Sequence, residues 1–175
     1  MELIKKEENN SELELMIKGS FQFTDPRNVR DQKQLDIMMQ MEEEGKDPLD
    51  PKFIEQEILF QTDFWYVSRN RFPYEEIQHH YIIASRYPVY NLIDMSTEMW
   101  IDLKNIWERL ILEYNVSGGA LCYRFGETIY SGASLTRLHC HLIMPKKGNK
   151  TKFTIGGNLA MKEKFDLDKY PQLKK

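Results

Sequence analysis

One stretch limits the fold of this chain more than any other. After Ser96, the residues Met99, Trp100, Leu103, Ile106, Trp107, Leu110, Ile111 and Tyr114 recur at three- and four-residue steps. That spacing places them on one face of an α-helix about five turns long. Ser96 suits the N-cap, and Glu98 and Asp102 suit the positive end of the helix dipole. The apolar face needs a cover, and strand-like runs flank it. Phe64-Trp65-Tyr66-Val67 and His80-Tyr81-Ile82-Ile83-Ala84 precede the helix. Leu121-Cys122-Tyr123-Arg124-Phe125 and Leu138 to Met144 follow it, and Phe153-Thr154-Ile155 reads as a fifth strand. Strands on either side of one long helix predict an α+β fold: an antiparallel sheet of about five strands with the helix packed on it.

The chain has 175 residues, which suits one domain with additions. Residues 1–62 read as an N-terminal helical arm, 63–156 as the sheet-and-helix domain and 157–175 as a C-terminal tail. In the arm, Asp25-Pro26 reads as an N-cap and first turn, with a helix to Glu44 and Gly45 as its terminator. Leu35, Met38, Met39 and Met41 give that helix an apolar stripe. Asp47-Pro48 and Asp50-Pro51 are turn signals, and Pro51 is expected to open a second short helix through Phe60.

Composition narrows the function classes. Hydrophobic residues at 41% against 29% charged allow an ordinary core. The net charge of −3 lacks the basic excess of a duplex-DNA binder. No apolar run approaches the roughly 18 residues of a membrane span, and Met1 to Glu8 carries no apolar signal segment. Two cysteines, Cys122 and Cys140, make neither a disulfide framework nor an all-cysteine zinc site. A cytoplasmic, reducing location is the expectation.

The four histidines fall in two places, His79-His80 and His139-Cys140-His141. Alternate residues of a strand share a face. His139 and His141 therefore point one way, with Leu138, Cys140, Leu142 and Met144 turned into a core. The strand is expected to offer two imidazoles on its open face. Adjacent residues face oppositely, so at most one of His79 and His80 can join them. An imidazole is neutral near pH 7 and can act as a nucleophile, while a neighbour donates a proton. Gly132-Ala133-Ser134 is a small-residue turn whose backbone N–H groups and Ser134 hydroxyl can approach a phosphate. Arg137 lies two before His139, on its face, and is able to pair with a phosphate oxygen. Each feature also has a plain reading: H-x-H as a structural pair, and Gly-Ala-Ser as only a turn.

Four stretches in series carry a family resemblance. They are Asn70-Arg71-Phe72-Pro73-Tyr74 leading to His80, then Asn91 to Ser96 before the helix, then Tyr123 to Thr128, and finally Ser131 to Ile143. From about Phe60 to Ile155 the chain resembles the histidine-triad superfamily of nucleotide hydrolases and transferases, in the branch of diadenosine polyphosphate hydrolases and phosphorylases. The family pattern His-φ-His-φ-His-φ-φ reads here Arg137-Leu138-His139-Cys140-His141-Leu142-Ile143, with Arg137 in place of the first histidine.

The resemblance implies that His139 attacks an α-phosphate and that His141 assists at the phosphate or the leaving oxygen. It implies phosphate contacts at Gly132 and Ser134, a nucleoside contact at Asn70 and a supporting role for His80. Arg137 would add positive charge at the phosphates. The implied function is a nucleotide hydrolase or nucleotidyltransferase working through a nucleotidyl-histidine intermediate. No cofactor is required, and magnesium enters only on the substrate's phosphates. Family members pair through the central helix and sheet edge, which implies a homodimer. One rival is a non-catalytic nucleotide- or RNA-end-binding module on the same fold. Another is a zinc hydrolase using His80, His139 and His141.

Overall fold

The computed structural model describes residues 21–159 and 161–173. Residues 1–20 of the expected arm, including the Met1 to Glu8 segment, lie outside the described residues, as do Ala160, Lys174 and Lys175. The described elements, in chain order, are α1 (Gln32–Glu43), β1 (Ile58–Gln61), β2 (Trp65–Arg69), β3 (Ile77–Ser85), α2 (Thr97–Glu113), β4 (Ala120–Arg124), the short α3 (Thr128–Ser131) and β5 (His139–Pro145). The strands form one antiparallel sheet in the order β1-β2-β3-β5-β4.

The α+β layering follows the sequence pattern. Ser96 caps α2 through the Met99 N–H, and Met99, Leu103, Ile106 and Leu110 are buried against the sheet. Their partners alternate along the strands: Trp65 and Val67, Tyr81 and Ile83, Cys140 and Leu142. Each fully buried helix side chain of this kind contributes roughly 1.5–3 kcal/mol. The Trp65 indole N–H also donates to the Met99 carbonyl at 3.0 Å. The buried stripe is narrower than expected. Trp100 and Ile111 stand 40% and 53% exposed, because each is set about a quarter-turn around the helix from the buried row.

The intervening residues face the other side of the sheet, where Tyr66, Ile82 and Ala84 meet Leu49 of the arm. The arm is therefore the second covering layer. Its helix α1 presents Leu35, Met38 and Met39 to Val29 and to Phe165 and Leu173 of the tail. Arm and tail are joined side by side. The tail's Asn158 amide donates to the Arg27 carbonyl at 3.0 Å, and Lys162 Nζ donates to the Val29 carbonyl at 2.6 Å.

Three expectations need correction. The helix from Asp25 to Glu44 is broken in two. Asp25 caps only the 3-10 turn Pro26–Asn28, and Asp31 caps α1 by accepting the Gln34 N–H at 2.8 Å. Asp25 is held back because its carboxylate also binds Arg27, Asn28 and Thr128. The C-terminal end is as expected. Gly45 has φ of +65° and closes a Schellman turn, with Lys46 N–H bonded to the Met41 carbonyl and Gly45 N–H to Glu42. Secondly, no helix runs from Pro51 to Phe60. Ile58–Gln61 is instead the edge strand β1, so the sheet begins inside the segment assigned to the arm. Thirdly, Phe153-Thr154-Ile155 is not a strand. The Phe153 ring instead makes a T-shaped contact with His141, and β1 supplies the fifth strand.

Candidate active site

The β3–β5 register builds the imidazole cluster. Ile82 lies opposite His141, and Ala84 opposite His139. His80 lies two residues from Ile82 on the same face, so it is the diagonal neighbour of His141. Its Nε2 is 2.9 Å from His141 Nδ1, and one proton is shared across that contact. The His139 and His141 rings are 5.0 Å apart, edge to face. His79 faces the other way and stacks on Tyr81.

The expected open face is covered. His139 and His141 are only 4% and 8% exposed. Arm, tail and sheet enclose a cavity of about 340 Å³ between them, and both rings line it. Asn70, Gly132 and Ser134 line it too, so five of the residues singled out from sequence meet at one place. His80 stands behind His141, where the Asn70 amide lies 2.9 Å from its Nε2.

His139 Nδ1 lies 2.8 Å from the Arg137 carbonyl. A carbonyl only accepts, so Nδ1 carries the proton and Nε2 keeps its lone pair. Burial holds the pKa of His139 below the ordinary histidine value. Burial depresses His141 further, helped by the neighbouring His139, His80, Arg124 and Arg30. Burial, with Arg30 adding to it, lowers His80 to about 4. All three rings are neutral at pH 7, the state a nitrogen nucleophile needs.

These depressed values set an acid limit on the fold. Each histidine takes up a proton more readily unfolded than folded, so stability is full above about pH 6.5 and declines as pH falls towards 4. At about 1.4 kcal/mol per pH unit, His80 alone accounts for roughly 3 kcal/mol across that window. The urea midpoint is expected to stay level from pH 8 to 7 and to fall between pH 6.5 and 4, with His80→Gln losing less than the parent. An unchanged midpoint down to pH 4.5 would contradict the buried neutral cluster.

Arg137 is not where a phosphate would need it. Its guanidinium is 4% exposed. It donates to Asp47 at 2.7 Å, to Asp50 at 3.3 Å and to the Ser85 carbonyl at 3.2 Å. The phosphate pairing expected of its side chain is therefore corrected: the arm's two turn aspartates neutralise it. Arg137 serves the site through its backbone carbonyl, which orients His139.

The cation at the turn is Arg124, which lies directly opposite His139 in the β4–β5 ladder. Its guanidinium donates to the Ser131 and Thr154 carbonyls and lies 4.3 Å over the Phe153 ring. It packs so near Gly132 that a Cβ there would stand 2.8 Å from its Nη1 and 2.4 Å from the Gly156 carbonyl. Gly132 also has φ of +67°, so the turn needs glycine twice over. The 3-10 turn of the arm fixes it further. Asn28 donates to the Ala133 and Thr128 carbonyls at 2.9 and 3.1 Å, and Asp25 N–H donates to the Ser134 carbonyl at 2.9 Å.

Tyr74 is the second residue that sequence reasoning passed over. Its ring stacks on His80 at 4.9 Å, and the Arg30 guanidinium lies 4.5 Å over it. Arg124 was findable from strand facing alone, because it shares the face of His139 once β4 and β5 pair. Arg30 and Lys162 had no local signal, since only the packing of arm on tail brings them to the cavity. Among the described residues, no three His, Cys, Asp or Glu side chains group as a metal-binding set.

No family model and no curated protein matches the sequence. Solved structures do resemble it. A histidine triad protein from Clostridium difficile is 15% identical over 59% of this chain and 91% of its own, with a TM-score of 0.45. The diadenosine triphosphate hydrolase of Plasmodium falciparum is 20% identical over 57% of this chain and 67% of its own, with a TM-score of 0.44. A HIT family hydrolase from Legionella pneumophila is 16% identical over 62% of this chain and 96% of its own, with a TM-score of 0.43.

Proposed function

We propose that this chain is a histidine-triad nucleotide hydrolase or nucleotidyltransferase that cleaves at the α-phosphate of a nucleoside polyphosphate or nucleotide conjugate. One observation carries the reading: a neutral His139, its proton tied to the Arg137 carbonyl, lines an enclosed cavity beside a rigid Gly132–Ser134 turn and the Arg124 cation.

In the first step the His139 Nε2 lone pair forms a bond to phosphorus, and the bond from phosphorus to the leaving oxygen breaks. Arg124 and the turn stabilise charge on the phosphate oxygens as it builds. When His80 Nε2 holds the proton of their 2.9 Å contact, His141 carries its own proton on its other ring nitrogen and donates a hydrogen bond from it to the departing oxygen. In the second step water, or another acceptor, bonds to phosphorus and releases its proton to solvent as the P–N bond breaks, restoring neutral His139. Two displacements replace one difficult step. Asn70 contacts the nucleoside, and magnesium travels on the substrate's phosphates. A second copy pairs through β4, an edge strand, and the exposed Trp100 and Leu121, giving a dimer mass in sedimentation.

The test is release of nucleoside monophosphate from nucleoside triphosphates and dinucleoside polyphosphates. Steady multiple-turnover release supports the enzyme. Tight binding with no monophosphate released over hours overturns it in favour of a binding module.

A further inference from the structure

The cavity wall is strongly biased in charge. Arg30, Arg69, Arg71, Arg124 and Lys162 line it, against the single acid Glu55. Glu55 is paired with Arg71 at 2.8 Å. Arg124, the last residue of β4, packs its side chain on the turn beside His139. Arg30 and Lys162 belong to neither turn nor sheet: one comes from the arm and the other from the tail. Their hydrogen bonds go to carbonyls, Arg30 to that of Phe72 and Lys162 to that of Val29, and each also lies over an aromatic ring, Arg30 over Tyr74 and Lys162 over Phe165. Among the described residues neither is in an ion pair with a carboxylate.

The two charges sit together at the site: Lys162 bonds to the Val29 carbonyl, one residue before Arg30, and Arg30 lies over the Tyr74 ring that stacks on His80. Burial, then Lys164 and Arg30, lowers the Lys162 pKa. The Arg30 charge also reaches His80 and His141. Crowding like charges at a half-enclosed surface is costly unless an anion balances them. A role in holding the backbone does not account for the charge, because Asn158 makes the same kind of carbonyl contact to Arg27 with a neutral amide.

We infer that Arg30 and Lys162 form a second anion subsite, which takes a phosphate group of the substrate beyond the one His139 attacks. The inference rests on the proposed nucleotide reading and narrows it. The leaving group is then itself phosphorylated, and conjugates whose leaving group is a neutral amine are poor ligands. Arg30 and Lys162 are specificity-determining residues, supplied by segments outside the sheet domain.

Titration calorimetry on the full chain carrying His139→Asn tests this without turnover. The ligands are the four ribonucleoside monophosphates and the matching triphosphates, at one fixed salt concentration. The favoured triphosphate is expected to bind at least about tenfold tighter than its monophosphate, the size of one charge-assisted contact. Lys162→Met and Arg30→Gln should each reduce that ratio about tenfold, and Lys162→Arg should keep it. Monophosphate affinity in Lys162→Met should stay within about twofold. A ratio near one in the parent overturns the subsite. So does a ratio that survives Lys162→Met, or one lost equally in Lys162→Arg. Absence of monophosphate release by the unmutated chain would instead overturn the proposed reaction, so the two failures are distinguishable.

Discussion

His139→Asn is expected to lower turnover of a nucleoside polyphosphate by roughly 10⁴-fold or more while leaving nucleotide affinity within a few-fold. Asparagine is nearly isosteric with the inner half of the ring. Its amide can still donate to the Arg137 carbonyl, as His139 Nδ1 does at 2.8 Å. What disappears is the Nε2 lone pair facing the cavity. The loss should therefore fall on kcat rather than on binding, because the charge lining the cavity is untouched. His141→Asn should cost less, roughly 10²-fold to 10⁴-fold, the range for a group that only hydrogen-bonds or transfers a proton. A His139→Asn protein that retained a tenth of the parent rate would show that another group attacks. Stopped assays of monophosphate release on both variants measure the contrast.

The second large effect is on stability. Asp47→Asn should destabilise the fold by roughly 3–5 kcal/mol, because it strands the buried Arg137 charge. Asp47 Oδ2 accepts from Arg137 Nε at 2.7 Å, and its Oδ1 accepts the Leu49 N–H at 2.8 Å. Asparagine can keep the Leu49 bond, but it turns an N–H₂ group towards the guanidinium. Asp50, at 3.3 Å, is left as the only carboxylate on Arg137 among the described residues. Arg137→Leu should be harmful for the converse reason, since it leaves Asp47 charged and buried. Combining Asp47→Leu with Arg137→Leu should recover a large part of the loss, because neither charge then remains. Urea unfolding of Asp47→Leu, Arg137→Leu and the double variant gives the coupling. Single losses below about 1 kcal/mol would mean that the pair is solvated and does not anchor the arm. His139 is oriented by the carbonyl of this same Arg137, so the arm's turn is tied to the nucleophile through one residue.

The parts legible in the sequence are those with a local cause. Alternation in Leu138 to Met144 separates core from site within seven residues, and the structure keeps that division. Three- and four-residue spacing from Met99 to Leu110 identifies the helix that covers the core. Gly132 needs its conformation because of its own φ and its near neighbours. The less legible parts depend on partners far along the chain. Asp25 loses the contest to cap α1 because Thr128, over a hundred residues away, takes part of its carboxylate. Arg137 follows the face rule, yet its charge is claimed by Asp47 and Asp50, which no strand periodicity brings to it. Ile58–Gln61 is too short to outweigh the proline-rich turns before it, and it becomes a strand only by pairing with β2. Enclosure of the histidine face follows from the same cause, since it needs arm and tail packed together first.

The most direct measurement is the intact mass of the protein after millisecond mixing with a nucleoside polyphosphate and a denaturing quench at alkaline pH, where P–N bonds last. The account predicts a transient gain equal to one nucleoside monophosphate group, mapped by fragmentation to His139 and absent from His139→Asn. Monophosphate release at full rate with no such adduct, or an adduct mapped to another residue, would contradict it.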